Sequence, residues 1–121
     1  MENNRFENIK VAEMRKLAEK LEDMRIPYAI DFPWKNCAEM YGDYAVQIIV
    51  FDDNHKRIAD AVCHEHSYGG RWGELEVMAN VYPDSYDYAR NDGVAGCLKA
   101  EDAFYLLVYA YIHDNYIHDR Q

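Results

Sequence analysis

The chain has 121 residues, half of them apolar or aromatic, and its formal net charge is −9. This length suits a single domain, 1–121, with a hydrophobic core of its own. The acidic balance argues against charge-driven binding of nucleic acid or anionic lipid, because like charges repel. The sequence therefore predicts no direct nucleic-acid binding and no membrane attachment.

The first half of the chain predicts one helix and three strands. Apolar residues recur at helical spacing over 4–24, and Pro27 then ends the helix. Alternation predicts a strand at 28–32 and a second at 44–51, whose two apolar faces are typical of an inner strand. The turn signal at 52–55 predicts that 57–64 returns as the other arm of a hairpin.

The second half predicts two helices. The sequence SYGG at 67–70 ends the strand, and 71–81 fits a short helix that Gly73 weakens. A polar loop follows at 83–96, and the stripe of Phe104, Leu107, Val108, Tyr111 and Ile112 predicts a last helix over 99–115. The predicted order is α-β-β-β-α-α, an α+β domain with a three-stranded antiparallel sheet packed against helices.

Residues 72–119 form an acidic, tyrosine-rich stretch. It has nine acids, two bases and seven of the eleven tyrosines. Tyrosine is enriched at interfaces, and spaced carboxylates can imitate a phosphate backbone in front of a basic groove. The alternative is a solvated surface with tyrosines at the rim of the core. The predicted partner-binding residues are Asp84, Asp87, Asp92, Glu101, Asp102, Tyr82, Tyr86 and Tyr88.

The Ser67–Trp72 turn is a second candidate site, for a nucleotide or phosphate. Two glycines before a helix can turn backbone amides toward an anion, and Tyr68 and Trp72 offer rings for stacking. An ordinary turn capped by Ser67 is the alternative. A homodimer is one arrangement that would complete such a pocket. Its predicted residues are His64, Ser67, Tyr68, Gly69, Gly70, Arg71 and Trp72.

Metal and cysteine chemistry have weaker signals. His64 and His66 would point the same way from a strand and could share a zinc ion with His113 or His118, as in a metal-dependent hydrolase, although His66 also fits a loop. A cysteine nucleophile, Cys63 or Cys97, would need a histidine base near it in space. Cys63 alternates with alanines, which favours a buried, inert thiol. We expect no metal and no cofactor.

The absence of familiar catalytic motifs predicts a protein that is not an enzyme. The chain has no G-x-S-x-G elbow, no Gly-rich dinucleotide fingerprint and no H-E-x-x-H. An odd number of widely spaced cysteines is not a disulfide framework, and the N-terminus has no apolar signal segment. Both features favour the cytoplasm.

Residues 62–78, VCHEHSYGGRWGELEVM, carry a resemblance. They resemble short uncharacterised phage and mobile-element proteins of Firmicutes, which have Cys-His, Ser-Tyr-Gly and Gly-Leu-Leu-Glu-x-Met. A later Gly-x-Leu-Thr-Ala-Glu-Glu-x-Phe in those proteins matches 96–104, and the whole resemblance covers about 44–107. This chain departs from the pattern at His66, where glycine is usual, and at Lys99, where threonine would cap the last helix.

The resemblance implies a phage-type source and supplies no catalytic residue. Small acidic phage proteins are often inhibitors of host defence, and the resemblance implies such a role here. The leading hypothesis is therefore a non-enzymatic, anti-CRISPR-like inhibitor in the host cytoplasm. It would bind a host defence protein that has a basic groove. The alternatives are a sponge that sequesters a nucleotide immune signal at the Ser67–Trp72 turn and the metal-dependent hydrolase.

Overall fold

The computed structural model describes residues 6–84 and 93–117. An α+β architecture with an antiparallel sheet is confirmed, but the sheet has five strands and not three. The longer helices are α1 (Ala12–Asp23) and α3 (Ala100–Ile112), and a short α2 (Ala38–Tyr41) follows a 3₁₀ turn. The strands are β1 (Tyr28–Asp31), β2 (Val46–Phe51), β3 (Arg57–Cys63), β4 (Leu75–Ala79) and β5 (Val94–Leu98).

The five strands form a meander in which each strand pairs with its neighbour in sequence. The predicted hairpin is present, with Ile48 opposite Ala61 and Val46 opposite Cys63. β2 lies between β1 and β3, as its two apolar faces predicted. All four pairings are antiparallel, so no connection has to cross over the sheet.

The predicted helix at 71–81 is wrong, and this error accounts for much of the difference in the sheet. Only Gly70–Trp72 forms a 3₁₀ turn, and Gly73 then takes a left-handed conformation that ends it. Leu75 and Val77 are buried on the same side, because residues two apart in a strand share a face. The end of the predicted loop at 83–96 is also a strand, β5, which pairs with β4.

The first helix is shorter than predicted. It begins at Ala12 and not at residue 4, because Val11 has extended backbone angles. Phe6 and Ile9 nevertheless belong to the core, so the preceding segment packs without being α-helical. The last helix begins near the predicted position, and residues His113–Ile117 continue it as a π-helical turn.

Both long helices cover one face of the sheet. The shared core joins Met14, Leu17 and Leu21 of α1 with Leu106 and Leu107 of α3. Ala59, Ala61 and Cys63 contribute small side chains from β3 beneath them. The buried side of α3 includes Ala103 and Ala110, whose small side chains let the helix approach the sheet closely. The predicted stripe also included Ile112, but this residue is exposed.

A carboxylate from α1 caps α3. Lys99 occupies the N-cap position and makes no capping bond with its side chain. Glu13 instead accepts a hydrogen bond from the backbone amide of Ala100 at 2.7 Å, across 87 positions of sequence. This bond caps the start of α3 and joins the two helices.

We expect Glu13→Ala to lower the free energy of unfolding by about 1–2 kcal/mol near neutral pH. The bond from the Ala100 amide, with a smaller contribution from Lys16, holds the pKa of Glu13 below its ordinary value of 4.5. A depressed pKa stabilises the fold above the unfolded-state pKa, and this contribution is lost as pH falls through the folded-state pKa. Urea titrations should therefore show the two proteins converging in acid. A gap that stays constant from neutral pH to about pH 3 would contradict the assignment.

Candidate functional site

The solvent side of α3 carries the most distinctive surface among the described residues. At 100° per residue, acidic, aromatic and aliphatic side chains fall within one sector of the helix. Tyr105 and Tyr116 are each 54% exposed and Ile112 is 45% exposed. We call this surface the α3 outer face; it comprises Glu101, Asp102, Tyr105, Tyr109, Ile112 and Tyr116.

The charge of the α3 outer face is negative. Glu101 and Asp102 are exposed in the first turn, where the helix dipole favours anions. Residues 100–117 include no lysine or arginine. Two nearby cations are directed elsewhere: Lys20 lies over the ring of Phe104 at 5.7 Å, and Lys99 pairs with Glu74 at 3.7 Å.

The structure places Asp84 apart from the α3 outer face. Asp84 is exposed, but it follows β4, whereas α3 begins after β5. Because β4 and β5 are antiparallel, Asp84 lies toward the end of the sheet opposite Glu101 and Asp102. Four others, Tyr86, Asp87, Tyr88 and Asp92, lie outside the described residues.

Tyr82 serves the core and not the surface. It is 5% exposed, although the sequence placed it in the contact surface. Its hydroxyl lies 2.8 Å from the Gly93 carbonyl and 3.1 Å from that of Val77, and it accepts a bond from the Ala79 amide at 3.1 Å. A buried hydroxyl with three backbone neighbours holds the segment after β4 against the start of β5.

We expect Tyr82→Phe to reduce the free energy of unfolding by about 1–3 kcal/mol, because buried backbone groups would lose their partner. Chemical denaturation measures this loss. Tyr105→Phe is the matched control, since that tyrosine is largely exposed, and it should leave stability unchanged. Equal stabilities of the two variants would show that the Tyr82 hydroxyl has no structural role.

The Ser67–Trp72 turn uses its amides internally. Ser67 Oγ accepts from the His64 amide and donates to the His64 carbonyl, both at 2.9 Å. The amides of Gly70 and Trp72 donate to Ser67 and Gly69 carbonyls, each at 3.0 Å. The Tyr68 amide donates to Glu76 Oε1 at 2.9 Å. These amides therefore stabilise the turn and are not directed at an anion, and a strand, not a helix, follows.

His64 and His66 lie in an aromatic cluster. The ring of His64 is 4.5 Å from Trp34 and 5.1 Å from Tyr41, between ring centres. His64 Nδ1 accepts a hydrogen bond from the His66 amide at 3.0 Å. Burial, and next the nearby His66, lower the pKa of His64. Within 6–84 and 93–117, no group of three or more His, Cys, Asp or Glu side chains is placed to hold a metal ion.

Cys63 has a buried, unreactive thiol. It is fully buried, and its thiol lies 3.6 Å from the Gly70 carbonyl. Burial raises the pKa of Cys63 to about 11, which keeps the thiol protonated at neutral pH. Cys37 and Cys97 are exposed and free. The geometry of Cys63 is that of a packing residue and not of a nucleophile.

Comparison with known proteins leaves the resemblance as a prediction. The chain matches none of the protein-family models, curated proteins or solved structures with which it was compared. Across the described part of the chain, no helix has the length and apolar character needed to cross a membrane.

The sequence predicted only part of the α3 outer face. Glu101 and Asp102 were among the predicted residues, whereas Tyr105, Ile112 and Tyr116 were not. The signal was available, because these three fall on the same helical sector as Glu101. The apolar character of α3 all round the helix concealed which side faces the core.

Proposed function

We propose that this chain is a non-enzymatic binding protein that docks the α3 outer face into the basic, nucleic-acid-binding groove of a partner. In this proposal the partner is a component of a host defence system, and the chain blocks it in the manner of an anti-CRISPR protein in the host cytoplasm. One observation carries the proposal: exposed tyrosines and Ile112 share a helix face with carboxylates and with no base.

Two physical properties support docking. Large tyrosine side chains with few rotatable bonds provide contact area at a small entropic cost, and an exposed isoleucine among them would lose unfavourable hydration on burial. The carboxylates at the start of α3 stand where phosphates would in a basic groove. Charge complementarity of this kind speeds association and selects a basic partner.

Affinity capture with three baits tests this proposal. They are the wild type, the double variant Glu101→Lys/Asp102→Lys, and the control Glu19→Lys/Asp23→Lys, which reverses two exposed acids of α1. We expect the wild type and the control to retain a basic nucleic-acid-binding protein at about 50 mM salt and to lose it near 300 mM. The α3 variant should not retain it at either salt. Equal retention by all three baits would contradict docking through α3.

A further inference from the structure

A small basic pocket lies at the end of the sheet where both long helices begin. Its volume is about 350 Å³, within the range of roughly 300–1,000 Å³ that small-molecule sites occupy. The start of α1, the Gly70–Gly73 turn and the residue before α3 meet there. Its polar lining consists of Lys10, Glu13, Tyr44, Arg71, Trp72 and Lys99.

The pocket concentrates positive charge on a chain whose net charge is −9. Lys10, Arg71 and Lys99 line it together. They pair with Asp43 at 3.0 Å, Glu65 at 2.8 Å and Glu74 at 3.7 Å, and none of these three acids lines the pocket. The three cationic side chains are 59–65% exposed. Two of the paired acids are less exposed than their cations, at 35% for Glu65 and 26% for Glu74, so the cationic groups are the part of these pairs that an incoming anion can reach.

The one carboxylate in the pocket lining is already engaged. Glu13 accepts from the Ala100 amide at 2.7 Å and pairs with Lys16 at 3.2 Å. The charge of Glu13 is therefore partly neutralised by the Ala100 amide at the start of α3 and by Lys16 of its own helix. No side-chain hydrogen bond caps the first turn of α1 at Val11, and Glu13 in that turn offsets part of the helix dipole.

Trp72 gives the pocket an aromatic wall. Its side chain is 77% exposed, the largest exposed fraction among the large hydrophobic residues described. It stands in the same turn as Arg71, and this turn is held by internal hydrogen bonds from Gly70 and Trp72 amides. An exposed indole on a hydrogen-bonded turn beside cations is suited to stacking a planar ring whose other end is anionic.

We propose that this pocket binds a small nucleoside phosphate, with the phosphate among Lys10, Arg71 and Lys99 and the base against Trp72. The recognition groups are side chains from three segments, and not the amides of the Ser67–Trp72 turn. The proposal does not depend on docking through α3. It gives the predicted nucleotide sponge a defined site within one copy of the chain.

Isothermal titration of the full chain with ADP, adenosine and inorganic phosphate tests the pocket. We expect ADP to bind more tightly than either fragment. Arg71→Ala/Lys99→Ala should weaken ADP binding at least tenfold. Trp72→Ala should weaken ADP binding and leave phosphate binding unchanged. Lys56→Ala is the control, an exposed lysine in the β2–β3 turn, and should bind ADP as the wild type does.

Two results would overturn the proposal. One is no heat from ADP at millimolar concentration. The other is equal ADP affinity in the wild type and Arg71→Ala/Lys99→Ala. Thermal unfolding of each variant, without ligand, shows whether a lost signal comes from a lost fold. Should Arg71→Ala/Lys99→Ala prove unstable, Lys10→Ala replaces it, because Lys10 precedes α1 and pairs only with exposed Asp43 among the described contacts. An unchanged ADP affinity in Lys10→Ala would then count against the site.

Discussion

Replacing Gly70 with alanine is expected to lower the free energy of unfolding by more than about 3 kcal/mol, the largest loss that we predict for a single substitution. A β-carbon at this position would overlap the carbonyl oxygen of His64 and would come within 2.9 Å of its carbonyl carbon. It would also lie 2.5 Å from Ser67 Oγ. Backbone atoms held by the Ser67 hydrogen bonds cannot move aside without breaking the turn.

Gly73→Ala is the comparison variant, because it introduces backbone strain without steric crowding. Gly73 has a φ of +74°, and a β-carbon there would meet nothing within 4 Å. Its replacement should therefore cost only the strain of a left-handed alanine, about 1–2 kcal/mol. Guanidinium or urea denaturation of both variants gives the comparison. A Gly70→Ala protein as stable as Gly73→Ala would show that the turn is less tightly packed than the structure indicates.

Reversing the charges of the α3 outer face should reduce partner affinity at least 100-fold. Glu101→Lys/Asp102→Lys changes the charge of this face by four units and would place lysines against a basic groove. Juxtaposed like charges cost several kcal/mol, which corresponds to a factor of this size or more. Titration calorimetry with the captured, purified partner measures the change, and Glu19→Lys/Asp23→Lys should bind within a few-fold of the wild type.

The same variant has a cost in stability that must be measured separately. Lysines in the first turn of α3 oppose the helix dipole, by about 0.3–1 kcal/mol each. Tyr105→Ala avoids this cost because it removes a largely exposed ring and leaves the charges in place. It should weaken binding about tenfold or more if the ring is buried in the complex. Unchanged affinity in both variants would show that α3 does not form the interface.

The sequence predicted the elements whose patterns are local. The hairpin of β2 and β3 follows from two strand-like runs on either side of a turn signal, and the first and last helices follow from their apolar spacing. β4 was misread because Leu75 and Met78 lie three apart, as on a helix, and the strand is only five residues long. Pairing with β3 and β5 decides its conformation, and such pairing is not visible in one segment.

Contacts between distant segments could not be predicted either, because the sequence of one segment does not show which other segment it meets in the fold. The bond from Glu13 to the Ala100 amide joins two helices, and nothing near Lys99 in the sequence points to it. Tyr82 was predicted on the surface because it begins a polar, tyrosine-rich stretch, but its hydroxyl is held by backbone groups of β4 and by Gly93. The basic pocket was not predicted, because Lys10, Arg71 and Lys99 are far apart in the chain and come together only in the fold.

Displacement of nucleic acid is the measurement that tests the proposed function most directly. The captured partner is loaded with a fluorescently labelled nucleic acid, and fluorescence anisotropy follows its release as the chain is added. We predict that the wild type and Glu19→Lys/Asp23→Lys release the nucleic acid, and that Glu101→Lys/Asp102→Lys does not. A stable complex of chain, partner and nucleic acid together, with anisotropy undiminished, would contradict occupation of the groove by the α3 outer face.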